Sequence, residues 1–346
     1  MPSQSLAQSK SNEPDIIIDA ATRTQVIEGT LNRLNDSYVF PKIARQMEAA
    51  VRQRLQRREY DQITSAAALA ETLTKHLQEI SRDKHLHVLF NYEPRPLSVT
   101  RSAPSAEQLR DFRRAALIQS SSINHGFKRV ERLDGNIGYL RVDLFVDPEF
   151  GGDTAAAALG FVSNTHALII DIRNCNGGVP EMVALLSTYL FEDAPVHLSD
   201  IYDRPTNQTQ QFWTLPYVPG KRYAGRDVYV LTSKRTASAA EEFAYDLQQL
   251  KRATIIGETT IGAANPGGTV RVNEHFQVFI PTGRAINPIS KTNWEGFGVK
   301  PDVEVSEEQA LKAAQIAALK KLIETGKEEG WKGRWIMLLE TLQKQP

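Results

Sequence analysis

The chain has 346 residues, and 41 basic side chains balance 41 acidic ones. That neutrality excludes a nucleic-acid scaffold, which would carry a basic excess. A single cysteine, Cys175, excludes an intramolecular disulfide and any cysteine-rich zinc site, and no apolar run reaches the ~18 residues of a membrane span.

The first fourteen residues, MPSQSLAQSKSNEP, are polar and lack the apolar stretch of a signal peptide. They are expected to form a disordered tail on a chain that is either cytoplasmic or a mature exported form. Residues 15–82 read as a helical bundle. Ile27, Leu31, Leu34 and Tyr38 recur at helical spacing up to Pro41. Ile43, Met47, Val51 and Leu55 mark a second helix over Lys42–Arg58, whose outer face carries Arg45, Arg52, Arg54, Arg57 and Arg58. In a neutral chain that face reads as a solvated surface rather than a site for an anionic partner. A third helix follows Thr64-Ser65 and carries Leu69, Leu73, Leu77 and Ile80.

At Asp83 the period changes to two, with Leu86, Val88 and Phe90 alternating against His85, His87 and Leu89. Residues 83–130 read as a strand and a linker with one helix near 106–118. From 131 to 346 the pattern is α/β. Asn136–Val142 reads as a strand, Ala155–Asn164 as a helix, and the apolar run His166–Ile172 as a strand buried on both faces. The loop RNCNGG then leads into a helix over Pro180–Phe191. Asp227–Leu231 is a second buried strand, followed by a helix beginning near Ser238. Strands at 253–256 and 275–280 come next, and two helices separated near Gly330 close the chain. Alternation of strand and helix predicts a mostly parallel sheet flanked by helices.

Two loops carry candidate chemistry. Ser238 stands at a helix N-terminus beyond the carboxyl end of a parallel strand, where open α/β sheets place ligands. Free N–H groups there can hold an oxyanion. Locally the stronger reading is a capping serine, completed by Glu241 three residues on. The second loop, Asp171–Gly178, ends in paired glycines that let N–H groups approach a ligand. Loops at one edge of one sheet can offer a nucleophile and an oxyanion hole together.

Four segments in order, Leu168–Gly178, Thr232–Phe243, Gly257–Gly268 and Asn293–Val303, resemble peptidase family S41, the tail-specific or C-terminal processing proteases. The branch that this chain resembles most is the interphotoreceptor retinoid-binding-protein-like one. The resemblance implies a fold of the ClpP/crotonase type, an N-terminal three-helix bundle and a serine-type peptidase. The processing branch uses a Ser-Lys dyad, but Ala263 occupies the place of the lysine, and no lysine occurs between Arg252 and Lys291. That branch also carries a PDZ domain, for which the residues after Phe90 leave no room. The tricorn-type Ser-His-Glu arrangement fits instead. It implies Ser238 as nucleophile, His85 of Asp83-Lys84-His85 as base and Glu295 of Trp294-Glu295-Gly296 as orienting acid. The backbone N–H groups of Ala239 and of Gly177 or Gly178 would form the oxyanion hole. An unperturbed histidine would set the acid limb of activity near about 6.5.

This set calls for no cofactor and no metal. The implied substrate is a peptide or an unfolded polypeptide, with no nucleic acid and no membrane span. His87 shares the strand face of His85 and stays a competitor for the base. His275 reads as structural, Lys234 as a solvated loop lysine, Cys175 as a thiol without a motif, and Glu241 and Glu242 as serving the helix N-terminus. The same fold could instead carry an apolar ligand of the retinoid or fatty-acid type, or hydrolyse small esters or amides.

Overall fold

The computed structural model describes residues 14–94, 105–326 and 329–344. The tail expected to be disordered falls outside these residues except for Pro14, as does part of the linker after Phe90.

Three helices open the fold: α1 (Ala20–Ser37), α2 (Pro41–Gln56) and α3 (Ala66–Ser81). Each start has a local cause. Asp19 accepts the Thr22 N–H at 2.7 Å, Pro41 fills the first turn of α2, and Ser65 accepts the Ala68 N–H at 2.9 Å. Ile27, Leu31, Met47, Val51, Leu69, Leu73 and Leu77 meet in one core. Ile80 stays 37% exposed, because it lies off the buried stripe. Part of the basic face of α2 is paired with its neighbours: Arg52 with Glu28 and Glu48, and Arg54 with Glu59 and Glu79.

Next in chain order come β1 (His87–Phe90), α4 (Ala106–Ser122), β2 (Phe127–Leu133), β3 (Ile137–Val142), α5 (Pro148–Val162), β4 (Ala167–Asp171) and α6 (Pro180–Thr188). They are followed by β5 (His197–Asp203), β6 (Gln208–Trp213), β7 (Asp227–Thr232), α7 (Ala239–Gln249) and β8 (Thr254–Gly257). The chain ends with β9 (Gly267–Arg271), β10 (Phe276–Pro281), β11 (Gly283–Ile286), β12 (Val303–Glu304), α8 (Glu307–Thr325) and α9 (Glu329–Lys344). Between β1 and β2 the described residues form α4 and a short 3-10 turn.

The main sheet has the order β12-β8-β7-β4-β3-β2. All its pairs are parallel except β2 with β3. Alternating side chains of each strand serve opposite layers. Leu168, Ile170, Val228 and Val230 pack with Leu159, Met182 and Phe243 of α5, α6 and α7. Ala167, Ile169, Tyr229 and Leu231 pack with Ala314, Leu319 and Trp335 of α8 and α9. Burial on both faces explains the unbroken apolar run of β4. The last two helices part at Gly326, whose φ of 63° ends α8 in the left-handed conformation. Gly330 lies inside α9, so the expected break there is displaced.

The helical bundle does not close on itself. Val88 of β1 and Phe276, Val278 and Ile280 of β10 belong to its core. β1 and β9 flank β10 in a separate antiparallel sheet. The chain therefore returns, after almost the whole main sheet, to pack a late hairpin on its first helices. This return carries the segment between β8 and β9 back towards the end of α3. A third small sheet, β11-β5-β6, was not legible in the sequence. No helix among the described residues is long and apolar enough to cross a membrane.

Candidate active site

Strands β4 and β7 are parallel neighbours, so the loops after them leave the same edge of the sheet. Hydrogen bonds stitch these loops together. Ala237 N–H donates to Cys175 O at 3.0 Å, Thr236 Oγ1 to Ile172 O at 3.0 Å and Ser233 Oγ to Arg173 O at 2.6 Å.

Ser238 closes this arrangement with φ 55° and ψ −125°. An ordinary N-cap is extended. A non-glycine residue held in this region costs of order 1–3 kcal/mol and persists only where its surroundings enforce it. The backbone therefore separates Ser238 from a plain cap. Gly177 explains part of the enforcement. A Cβ added to it would stand 2.7 Å from Ser238 Cβ and 3.2 Å from Ala239 N, and its own φ is 102°. Gly178, at φ 139°, presses on the Phe145 carbonyl, which a Cβ would meet at 2.0 Å. The bridge to Phe145 uses the Gly177 carbonyl and the Val179 N–H, and neither bond involves the N–H of Gly177 or Gly178. The Ala239 N–H is the first of α7 and has no acceptor within the helix.

Glu241 does more than serve the helix terminus. Its Oε2 accepts the N–H groups of Ser238 and Ala263, both at 2.9 Å. Its Oε1 accepts Gly262 N–H at 2.7 Å and Thr260 Oγ1 at 2.5 Å. The carboxylate thus clips the loop after β8 to the residue before α7. Burial pushes its carboxyl up to about 7, against the pull of these four donors. Glu242 departs from the expected role at the helix terminus. It is buried, bonded to Ser199, and raised to about 7 by burial. Asp246, one turn on, is pushed well above the usual carboxylate range by burial and by Glu242, while Asn287 Nδ2 donates to it at 2.9 Å.

A second carboxylate holds the other end of the same loop. Glu295 Oε2 accepts Ala264 N–H at 2.6 Å and Asn265 N–H at 3.0 Å, and Oε1 accepts Lys84 N–H at 3.3 Å. Trp294 Nε1 donates to Ala263 O at 3.1 Å, and Gly296 N–H to Gly262 O at 2.9 Å. The segment 260–265 is therefore a strap between Glu241 and Glu295. Ala263, at the place of the lysine of the processing branch, is fully buried in it.

His85 sits where α3 turns into β1. Asp83 Oδ1 accepts the His85 N–H at 3.0 Å, while its Oδ2 accepts Tyr38 Oη at 3.1 Å and Asn265 Nδ2 at 3.0 Å. Asp83 is thus a backbone clamp for His85 and a tie to the strap. The imidazole packs against Phe279, its centroid 5.8 Å away, and is 7% exposed. One atom each of Asp83, His85 and Glu295 lie within 4.8 Å of one another. Among the described residues, Nδ1 of His85 has no hydrogen-bond partner. Burial, with a smaller contribution from His87, lowers its pKa to about 4. Burial and then the neighbouring Asp83 raise Glu295 to about 8, and burial raises Asp83. His87 stacks parallel on Phe279 at 5.5 Å and spends its Nδ1 on the His85 carbonyl at 2.6 Å.

The other candidates are accounted for locally. Cys175 is fully buried, and burial pushes its thiol up to about 12. Lys234 is exposed and pairs with Glu258 at 3.3 Å. His275 Nδ1 contacts Asn91 O at 3.1 Å. Sequence reasoning missed the clamping role of Asp83 and the parts of Tyr38, Thr260 and Asn265. The Asp-x-His spacing signals the first. Nothing local signals the rest, since Tyr38 and Asn265 reach Asp83 from 45 and 182 residues away.

Comparison with known proteins concerns the family and the fold. The profile of peptidase family S41 matches residues 136–305. A second profile, the N-terminal domain of that family in eukaryotic interphotoreceptor retinoid-binding protein, matches residues 14–120. The chain belongs to peptidase family S41. The carboxy-terminal-processing protease of Bartonella bacilliformis is 26% identical over 181 residues, covering 51% of this chain and 40% of that protein. The tail-specific protease of Haemophilus influenzae is 34% identical over 103 residues, 28% of this chain and 13% of that one. The chain thus spans less than half the length of these relatives. Mature CPAF has the same fold at a TM-score of 0.58 and 13% identity, over 87% of this chain and 98% of that one. The tricorn protease follows at 0.52 and 13%, over 93% of this chain and 37% of that one. A lipoprotein from Streptococcus agalactiae, at 0.52 and 14%, covers 91% of this chain and 100% of its own. At such identities these likenesses concern the fold.

Proposed function

We propose that the protein is a serine peptidase hydrolysing peptide bonds of peptides or unstructured chain ends. Ser238 is the nucleophile, His85 the general base and Glu295 the orienting acid. The N–H groups of Gly177, Gly178 and Ala239 form the oxyanion hole. The observation that carries the reading is the backbone of Ser238, strained at the β7–α7 junction against Gly177 and beside the free Ala239 N–H. A carrier of apolar ligands has no use for that strain.

The chemistry follows from the groups. Serine Oγ attacks the scissile carbonyl carbon and passes its proton to the neutral imidazole of His85. The oxygen of the tetrahedral adduct takes hydrogen bonds from the three amides. His85 then returns the proton to the leaving amine, and water repeats the cycle on the acyl-enzyme. A depressed histidine pKa keeps the base neutral at physiological pH. It also makes the imidazolium costly unless an anion faces it. Glu295 supplies that anion in its ionised form, whose share grows as pH rises towards and through about 8. In the resting protein the two side chains lie within 4.8 Å without a direct hydrogen bond, and substrate binding closes that gap. Strand β9 follows the strap directly and, among the described residues, lies at the edge of its sheet, with Gly267, Gly268 and Thr269 exposed. An extended substrate can pair there through main-chain hydrogen bonds, independent of its sequence.

A fluorophosphonate probe tests the assignment. Ser238 becomes labelled in the parent chain, the Ser238→Ala variant stays unlabelled, and peptide turnover falls by several orders of magnitude in that variant. Labelling without peptide cleavage would favour a small-molecule esterase, and wild-type turnover in the variant would end the proposal.

A further inference from the structure

The cluster of Asp83, His85 and Glu295 has the composition of a metal site as well as of a catalytic acid–base set. One imidazole and two carboxylates are donors that zinc and its neighbours accept. Their ligand atoms lie within 4.8 Å of one another. A cation about 2.1 Å from each donor sets the three donors at most about 3.6 Å apart, so ion binding would draw the triangle in by up to about 1 Å. Two independent observations point to an occupant. His85 is 7% exposed, yet its Nδ1 has no hydrogen-bond partner among the described residues, a costly state for a buried polar atom. Two acid side chains also share this buried space with no cationic side chain paired to either among the described ion pairs. Glu295 Oε1 accepts one long bond, 3.3 Å from Lys84 N–H, and so keeps acceptor capacity. Asp83 is fixed by Tyr38 and Asn265, and Glu295 by the strap. These outer bonds would orient the ligands. Entry is short, because Glu295 is partly exposed and Lys84 beside it is exposed.

We propose that Asp83, His85 and Glu295 bind a divalent transition-metal ion of the zinc type, and that its occupancy switches the peptidase site off. The second half rests on the function proposed above. A neutral imidazole has one basic lone pair. An ion on either ring nitrogen takes that pair, and the ring can no longer accept the serine proton. The same ion holds Glu295 away from its orienting role. Metal loading is thus a reversible off-state that leaves Ser238 and the oxyanion amides untouched.

The test separates the two halves. Zinc is titrated calorimetrically into the full-length Ser238→Ala chain, which needs no activity to be read. One ion binds per chain, and the affinity falls at least about tenfold on adding His85→Ala or Glu295→Gln, the loss expected even for an outer partner of a ligand. It is unchanged on adding His275→Ala. Cobalt(II) absorption in the parent chain gives a readout that does not depend on variant folding: a visible band grows to one equivalent and vanishes on adding one equivalent of zinc. Absence of saturable binding, or binding that survives both ligand substitutions, overturns the metal site. Peptide hydrolysis unaffected by saturating zinc overturns the switch. Binding that follows His85 and Glu295 in a chain that cleaves no peptide supports the site and removes the peptidase reading instead.

Discussion

Replacing Glu241 by alanine measures what the strap contributes. A glutamate at the third helical position that only faces the helix dipole contributes about 0.3–1 kcal/mol. Glu241 instead accepts four donors, the N–H groups of Ser238, Gly262 and Ala263 and the Thr260 hydroxyl, and is fully buried. Each buried donor left without a partner costs about 1–3 kcal/mol. Four would cost about 4–12 kcal/mol, and water entering the vacated space offsets part of this. Glu241→Ala should therefore lose at least about 3 kcal/mol, a large share of a typical stability of about 5–15 kcal/mol. Glu241→Gln keeps the shape. Its carbonyl serves Ser238 and Ala263, its amide meets a Thr260 hydroxyl that already accepts the Val299 N–H, and two donors, the Gly262 N–H and the Thr260 O–H, lose their acceptor. The expected cost is about 2–6 kcal/mol, below that of the alanine variant. Urea denaturation with a constant slope reads both values. Peptide turnover should fall alongside, because Ser238 and the strap lose their common anchor. An alanine variant within about 1 kcal/mol of the parent would refute the reasoning and return Glu241 to a plain helix-terminal role.

Gly177→Ala places a methyl 2.7 Å from Ser238 Cβ at a φ of 102°, so turnover should collapse by at least about a hundredfold, the scale of a lost oxyanion donor, while far-ultraviolet dichroism stays that of the parent. His85→Ala should abolish peptide turnover and His87→Ala retain most of it, since His87 commits its Nδ1 to a backbone carbonyl; the reverse result would move the base by one pair of residues. Activity should persist well below the usual histidine range and fall as pH drops through about 4, because the neutral imidazole is the base, with a further rise through about 8 that Glu295→Gln removes; a single limb at the ordinary histidine pKa in both proteins would contradict the burial of His85. Stability should be greater near pH 5 than near pH 8. The native carboxyls of Glu242 and Glu295, raised to about 7 and 8, hold protons that the unfolded chain has released, so stability drains as pH rises through that window. His85 acts oppositely only between about 4 and its ordinary value. A Tm that is equal or higher at pH 8 would count against these buried acids.

The parts of the fold that rest on periodicity were legible. The two buried strands His166–Ile172 and Asp227–Leu231 appear as β4 and β7, and the three leading helices as α1 to α3. Helix ends moved where a cap decided them: α5 begins at Pro148, behind Asp147, rather than at Ala155. The strands β2, β5, β6, β9, β11 and β12 were not read. Along β6 the burial is mostly exposed with one buried Phe212, so no alternation marks it. Gly267-Gly268 in β9 likewise carry no side chains for a pattern to show.

The site divides in the same physical way. Ser238 and the paired glycines could be found because each stands at a junction written in adjacent residues, a strand run followed by a helix run. Even so, the property that sets Ser238 apart from a capping serine, a φ of 55°, has no signature in its own residue type. It is imposed from outside, by Gly177 on one side and by the Glu241 carboxylate on the other. His85 and Glu295 depend still more on distant chain. They meet because β10, some 190 residues after β1, completes the core of the helical bundle and draws the strap over the end of α3. Position along the strap then replaces the missing lysine. Ala263 leaves that place apolar, while the amides on either side of it are divided between two carboxylates. A Ser-Lys enzyme could load the same loop with a base. Here the loop is a tie between two carboxylates. If His85 is the base, as proposed above, the docking of bundle on sheet belongs to the catalytic geometry, and substitutions in the β10–α1 core, Val278 or Ile280 for example, should lower turnover before they lower the stability of the main sheet.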